Sequence, residues 1–385
     1  MSIESFRLDV SQGELDELHR RLDMTRWPEE LPGVGWAYGV PLKYLQELVH
    51  YWRHEYDWRK AEARLNEWEQ FTTTIDGTRI HFAHVRSPEP DATPLLITHG
   101  WPGSIVEFQQ IAGPLTDPRR YGGDPADAFS LVMPSIPGFT LSGPTHETGW
   151  EAARVARAFA ELMQRIGYDR YGVQGGDWGA AISQELGRIH PERVIGVHLN
   201  LIPGAGATSE PTEEELAPLD PAERERTWAS WHRFEGWLKE KQGYADLQAT
   251  RPQTVAYALT DSPVGQLAWI AEKFEEWSGS PIDRDHLLTN VSLYWFTRTA
   301  GSAARIYYER NHAASSGPIE PSTTPTALAD FPDDNFIPLR HIAEKTNNIV
   351  RWTSYPSGGH FAALEEPEFL VTDIRAFFRD LANRR

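Results

Sequence analysis

The chain has no cysteine. That excludes disulfides, thiolate metal sites and a cysteine nucleophile, and it leaves the compartment open. It has no apolar run long enough to span a bilayer. Its first residues, Met1 to Val10, lack the basic segment and apolar stretch of a secretory leader, so the default expectation is cytoplasmic, without a membrane anchor. Positive charge is scarce: 37 Lys and Arg stand against 55 Asp and Glu, a formal net charge of −18. Such a surface repels phosphate backbones, which argues against nucleic acid as a partner. Internal repeats and low-complexity tracts are missing too. The 14 histidines contain no His-Glu-x-x-His pattern. The nearest pair, His81 and His84, falls in a β-like run where residues three apart face opposite ways. No metal and no cofactor are expected.

What is present suits a soluble enzyme-sized chain. Its 385 residues allow one large domain with an insertion, or two domains. Hydrophobic residues make up 40% and charged ones 24%, ordinary values for a globular protein. Tryptophan is plentiful, with 15 residues, which fits a large core or an apolar pocket walled by rings.

The first 70 residues read as a helical extension. Ser11 and Glu14 have capping-box spacing, ahead of Leu15, Leu18 and Leu22 on one helical face. Pro41 to His54 repeats the amphipathic pattern. This extension is expected to clamp a lid or to support a homodimer. From residue 71 to 203 strand-like and helix-like runs alternate. Asp76-Gly77 joins two β-rich runs as a hairpin. Strands are expected at Leu95–Thr98, Phe129–Met133, Tyr171–Gln174 and Val194–Leu199, with helices from Ser104, over Trp150–Ile166 and over Ala180–Ile189. Such alternation predicts a mostly parallel sheet with helices on both faces. It breaks over residues 204–300, a helix-rich block in the position of a lid, opened by an acidic stretch read as a mobile loop. It resumes over 301–385, with strands at Thr326–Phe331 and Ile349–Tyr355 and a helix over Glu366–Leu381.

The chemistry concentrates in a few short stretches. Gly175-Gly-Asp177-Trp-Gly179 follows a strand and opens a helix, as the Gly-x-nucleophile-x-Gly elbow of α/β-hydrolases does, but with aspartate where serine is usual. Near the C-terminus His360 sits in a glycine loop after a strand, where that fold carries its base. Asp330, Asp333 and Asp334 lie between them in chain order and are all candidates for the orienting acid. The stretch His99-Gly-Trp101-Pro-Gly-Ser104 follows an earlier strand. Backbone N–H groups of Trp101 and Trp178 would make an oxyanion hole, and Trp101-Pro102 is a candidate cis bond.

A carboxylate on the elbow narrows the reaction. Serine attacking a saturated carbon would make an ether that water does not cleave at a useful rate. A carboxylate attacking the same carbon makes an ester, which histidine-activated water can hydrolyse at its carbonyl. Epoxides and alkyl halides both fit. An epoxide needs a proton donor for its oxygen, and the lid offers Tyr244, Tyr257, Tyr294, Tyr307 and Tyr308.

These stretches together resemble the microsomal-type epoxide hydrolases, an α/β-hydrolase family with an N-terminal extension. The resemblance spans almost the whole length: F-R-L-D-V and R-L-D-M-T-R-W-P in the extension, H-G-W-P-G-S and G-G-D-W-G-A at the site, T-R-P-Q-T-V-A-Y-A-L-T-D-S-P-V-G in the lid, and G-G-H-F-A-A-L-E-E-P-E near the end. It implies Asp177 as nucleophile, His360 as base, and Asp334, the fourth residue of F-P-x-[D/E], as the acid. It implies Tyr244 and Tyr307 as proton donors, with Tyr308 an adjacent rival. Ala180 stands where the family pattern suggests serine. The many aromatics of the lid suggest a small apolar or aryl epoxide as substrate, with water as co-substrate. The alternatives are a haloalkane dehalogenase-like hydrolase, or a non-catalytic protein holding an apolar ligand on the same fold. A carboxylester hydrolase fits less well, because Asp177 would then form a mixed anhydride.

Overall fold

The computed structural model describes residues 2–313 and 320–383. Among these residues nine strands form one sheet in the order β1-β2-β3-β5-β4-β6-β7-β8-β9. They are β1 Glu4–Phe6, β2 Gln70–Ile75, β3 Thr78–Val85, β4 Thr93–Thr98, β5 Phe129–Pro134, β6 Tyr171–Gly175, β7 Val194–Leu199, β8 Pro325–Asp330 and β9 Asn348–Ser354. The pairs from β1 to β5 through β2 and β3 are antiparallel, and the six strands from β5 to β9 are parallel. This is the expected α/β-hydrolase architecture. Asp76 and Gly77 both take positive φ, 49° and 72°, the signature of the tight turn that Asp-Gly favours between β2 and β3.

Strand alternation splits the apolar core in two. Leu96 of β4, Val132 of β5 and Leu328 of β8 face one side, with Phe159 and Leu186 from the Ala152–Arg165 and Asp177–Ile189 helices. Leu95 and Ile97, Leu131 and Met133, and Ala327 and Ala329 face the other, against Phe377 and Phe378 of the Pro367–Asn383 helix. Period-two side chains in strands covered on both faces read as near-continuous apolar runs, which is why these strands were legible.

The extension differs from the all-helical expectation. It carries helices at Gln12–Asp23, Leu42–His54 and Trp58–Leu65, but it also contributes β1, which caps the antiparallel edge of the sheet. Three residues are too short for a periodic signal, so β1 depends on the waiting edge of β2. Ser11 accepts from the Glu14 N–H, half of the anticipated capping box, while the Glu14 carboxylate turns to Arg298, 3.6 Å away. The extension bonds to the helical block of residues 204–300. Trp52 Nε1 donates to Ser292 Oγ (3.1 Å), Tyr51 donates to Asp285 (2.8 Å), and Arg21 pairs with Asp261 (3.0 Å).

The helical block runs past residue 300. Its helices are Glu213–Leu216, Pro221–Glu240, Gly243–Thr250, Pro252–Asp261, Pro263–Trp277, Arg284–Thr297 and Ala300–His312. The last was masked by small residues. Ala300, Gly301, Ala303 and Ala304 are buried, and a Cβ on Gly301 would overlap the Ala256 side chain. Close packing of this kind needs small residues, which carry little amphipathic signal. The acidic stretch is not irregular throughout, because Thr212 and Glu215 form a complete capping box on a one-turn helix. The run after Ser104 is a short 3-10 helix, Ile105–Gln109, and the helix after the elbow starts at Asp177 itself, ahead of the expected Ala180. No helix among the described residues is long and apolar enough to cross a membrane.

Candidate active site

Asp177 is the first residue of its helix and sits at φ +49°. Aspartate tolerates this left-handed region better than most residues, yet the position costs energy, which packing must offset. Gly179 allows that packing. A Cβ there would overlap the Thr98 carbonyl oxygen at the end of β4. Gly100 plays the same part from the neighbouring loop, where a Cβ would overlap the Asp177 carboxylate. The carboxylate is thus pressed against the His99–Ser104 loop. Trp101 N–H donates to its Oδ1 at 2.8 Å, across a loop whose Trp101-Pro102 bond is cis. The Trp178 N–H belongs to the first helical turn, whose amides have no intrahelical acceptor. The Trp101 N–H is the backbone donor that the structure places on Oδ1.

His360 lies on the other side of the same carboxylate. Its Nε2 is 3.6 Å from Asp177 Oδ2, and its Nδ1 is 2.7 Å from Asp334 Oδ1. The three aspartates left open by sequence now separate. Asp330 Oδ2 accepts from Arg226 (2.7 Å) and Ser354 (2.9 Å) at the end of β8, and Asp333 is exposed beside Gly279. Only Asp334, buried, meets the imidazole. Arg233 holds its turn by donating to the Pro332 and Asp334 carbonyls, at 2.7 and 2.8 Å. The His360 pKa is raised well above the usual histidine value. Burial alone would lower it, but the charges and hydrogen bonds of Asp334 and Asp177 together outweigh burial.

The histidine loop is anchored by a residue that sequence reasoning passed over. Glu365 Oε2 accepts from Gly279 N (2.6 Å) and Gly359 N (3.0 Å), and Oε1 accepts from Phe361 N (3.0 Å). Gly279 follows the Pro263–Trp277 lid helix, so one carboxylate ties the lid to the loop of His360. The His360 N–H also donates to the Trp277 carbonyl at 2.9 Å. Glu365 lies in the stretch G-G-H-F-A-A-L-E-E-P-E, but nothing in its spacing marks it as a clamp.

Above Asp177 the lid closes over a cavity of about 400 Å³. Tyr244 and Tyr307 line it together with Asp177 and Trp178. The Tyr244 ring stacks on Trp101 at 5.1 Å, and Tyr307 meets Trp178 edge-on at 4.9 Å. Both phenols keep their protons far above neutral pH, chiefly through burial, with the Asp177 charge adding to it. The other lid tyrosines go elsewhere. Tyr257 is largely exposed, Tyr294 is buried and donates to the Gly103 carbonyl at 2.8 Å, and Tyr308 stacks on His312 at 3.8 Å. Leu201, Ile202, Phe234, Trp237 and Phe336 supply apolar walls.

The arrangement offers a carboxylate under two phenols, with an imidazole–carboxylate pair behind it. Known proteins share the fold that carries it. Residues 3–108 fit the family described as epoxide hydrolase N terminus, and residues 93–367 fit the α/β hydrolase fold family. The chain is 44% identical to a Stigmatella aurantiaca protein provisionally assigned as an epoxide hydrolase, over 98% of this chain and 85% of that one. It is 36% identical to epoxide hydrolase 1 of Oryctolagus cuniculus, over 98% of this chain and 88% of that one. Among solved structures, the Aspergillus niger epoxide hydrolase superposes with a TM-score of 0.86 at 33% identity, covering 99% of this chain and 97% of that one.

Proposed function

This chain belongs to the epoxide hydrolase family, and on that footing we propose that it converts an apolar epoxide to a vicinal diol through an ester on Asp177. The observation that carries this reading is the convergence of Tyr244, Tyr307 and Asp177 on one cavity. An Asp177 carboxylate oxygen attacks a ring carbon from below while the carbon–oxygen bond breaks. The leaving alkoxide takes a proton from a lid phenol, giving a hydroxyalkyl ester. Water then adds to the Asp177 carboxyl carbon and loses its proton to His360, which Asp334 orients. Trp101 and Trp178 N–H groups hold the resulting oxyanion. Its collapse expels the diol, whose oxygen takes the proton from His360, and leaves Asp177 as a carboxylic acid; that acid loses its proton and the tyrosinate regains one by way of solvent, which restores the starting state.

A haloalkane substrate fits the site less well. Halide leaves as an anion and needs no acid, whereas two phenols face the carboxylate here. Neutral phenols donate usefully only to an oxygen that is strongly basic as it leaves, which a ring-opened epoxide supplies. Tyr244→Phe and Tyr307→Phe are each expected to lower kcat/KM about 10- to 100-fold, and the double variant about 10³- to 10⁴-fold. Steady-state assays of the three variants on an aryl epoxide check this, and an unchanged double variant would remove the phenols from the mechanism.

The ester route itself is tested by a single turnover of an aryl epoxide in ¹⁸O-water, with mass spectrometry of the peptide carrying residue 177. Label is expected in that carboxylate, because water attacks there and not at the epoxide carbon. Label confined to the diol would overturn the route. The same assay run on small polar epoxides should show slower turnover, given the apolar cavity walls.

A further inference from the structure

Ring opening on the proposed route moves a charge. Before it, the negative charge sits on the Asp177 carboxylate, which accepts from the Trp101 N–H. After it, Asp177 is a neutral ester, and one unit of charge sits on the oxygen of the phenol that gave its proton. A buried phenolate is costly unless a positive charge meets it. Burial already holds the protons of Tyr244 and Tyr307 far above neutral pH.

We propose that Lys273 is a positioning residue for ring opening, whose buried ammonium is the countercharge for the phenolate left on Tyr244. The proposal rests on the ester route, since that route is what carries the charge from Asp177 to the phenol.

The placement of Lys273 is specific. It lies one turn before the end of the Pro263–Trp277 helix, and its ammonium stands over the Tyr244 ring, 4.8 Å from the centroid. The Trp277 ring is 5.9 Å from the same nitrogen. Tyr244 is held there by its neighbours, stacked on Trp101 at 5.1 Å and tilted against Trp277 at 5.3 Å. Only 3% of Lys273 is exposed. A lysine is almost never so buried unless paired, and this one is: its Nζ lies 2.5 Å from Glu272 Oε2 and 3.1 Å from Glu276 Oε2. The carboxylates work against the ammonium at the ring. Burial and the Asp177 charge raise the Tyr244 pKa most, and the Glu276 charge adds to them. Yet the side chains of Glu272 and Glu276 are 24% and 23% exposed, so water weakens their reach, while the ammonium is shielded.

The second phenol points the same way. The hydrogen bond between the two favours a phenolate on Tyr244 and opposes one on Tyr307. Arg310, the cation in the cavity wall, is exposed and stands over Trp178 instead, at 5.6 Å. A cation over a neutral phenol gains little, and over a phenolate much more, so the ammonium stabilises the transition state above the ground state. In the step itself an Asp177 oxygen bonds to the ring carbon as the ring carbon–oxygen bond breaks. The freed oxygen takes the Tyr244 proton, and that electron pair stays on the Tyr244 oxygen. Lys273 keeps its own proton throughout.

Lys273→Met keeps the side-chain length and removes the charge. Placed in the His360→Gln background, where the ester accumulates, it lets rapid-quench kinetics with intact-protein mass spectrometry read ring opening alone. Ring opening of an aryl epoxide is expected to slow about 10-fold. Ester decay, measured with His360 intact, is expected to stay within about 3-fold of the parent. Two further variants separate charge from packing. Lys273→Met with Glu276→Gln should regain about 3-fold in ring opening, because the opposing charge goes too. In a Tyr244→Phe enzyme, adding Lys273→Met should change ring opening by less than about 2-fold, because no phenolate forms at 244. Both steps slowed in parallel, no recovery with Glu276→Gln, or an undiminished effect beside Tyr244→Phe would overturn the proposal and leave Lys273 a structural cation of the helical block. Should Lys273→Met not fold, Lys273→Gln, which can still donate to Glu276, carries the same comparisons. If His360→Gln alone forms no adduct on Asp177, the ester reading itself fails, a result distinct from an adduct that forms at the parent rate in the Lys273 variant.

Discussion

Asp177→Asn is expected to lose about 10⁴-fold or more in kcat/KM on an epoxide while still binding substrate and product within a few-fold of the parent. The amide is nearly isosteric with the carboxylate. Its oxygen can still accept from Trp101 N–H, and asparagine tolerates the φ of +49° at least as well as aspartate. What it lacks is a lone pair basic enough to displace an alkoxide from saturated carbon. The loss thus falls on chemistry rather than on binding or folding, and a thermal midpoint within a few degrees of the parent should accompany it. A second readout comes from His360. The Asp177 hydrogen bond and charge both help raise its pKa, so the imidazole of the variant should titrate lower than in the parent, by NMR. Assays should be prompt, because activated water faces the same carbon in the amide. A variant that keeps its turnover would sink the nucleophile assignment. A parent protein that binds apolar ligands but never turns over would favour the non-catalytic alternative.

His360→Gln should separate the two half-reactions. On the proposed route ring opening uses Asp177 and the phenols but not His360, so the ester should form in one burst and remain, raising the protein mass by the mass of the epoxide. Steady-state turnover should fall about 10³-fold, within the range a general base contributes. The parent enzyme adds a pH dependence with a definite sign. In the free enzyme two carboxylates face the imidazole and raise its pKa well above the usual histidine value, against burial. In the ester only Asp334 keeps its charge, while burial remains, so the His360 pKa falls. The imidazole therefore loses its proton more readily once the ester exists, which is when a base is required. Ester decay in single turnovers should rise with pH and level off at a lower pH than the midpoint at which free His360 titrates. Equal midpoints would mean that Asp177 does not couple to His360 across their 3.6 Å separation.

The fold was legible because its signals are local or periodic. The apolar runs of β4, β5, β6 and β7 and the Asp-Gly turn state their own structure. The helix at Ala300–His312 escaped because its buried face is built of alanine, glycine and serine, whose periodicity carries little hydrophobic contrast. β1 escaped because three residues become a strand only when a partner edge is present. Glu365 was missed for a related reason. A glutamate clamping backbone amides looks in sequence like any exposed glutamate.

By itself the sequence determined the kind of chemistry available. A carboxylate stands on a Gly-x-Asp-x-Gly turn, a histidine sits in a late glycine loop, and tyrosines crowd an inserted helical block. Those are statements about residue type and local backbone, and neighbours in the chain suffice to make them. The tertiary structure alone decided which side chains meet. Asp334, and not Asp330 or Asp333, reaches His360 across 26 positions of chain, and Tyr244 and Tyr307, unlike Tyr308, face the cavity over Asp177. One residue along a turn or helix redirects a side chain by roughly a quarter to a half of a full rotation, so such choices depend on how distant elements pack.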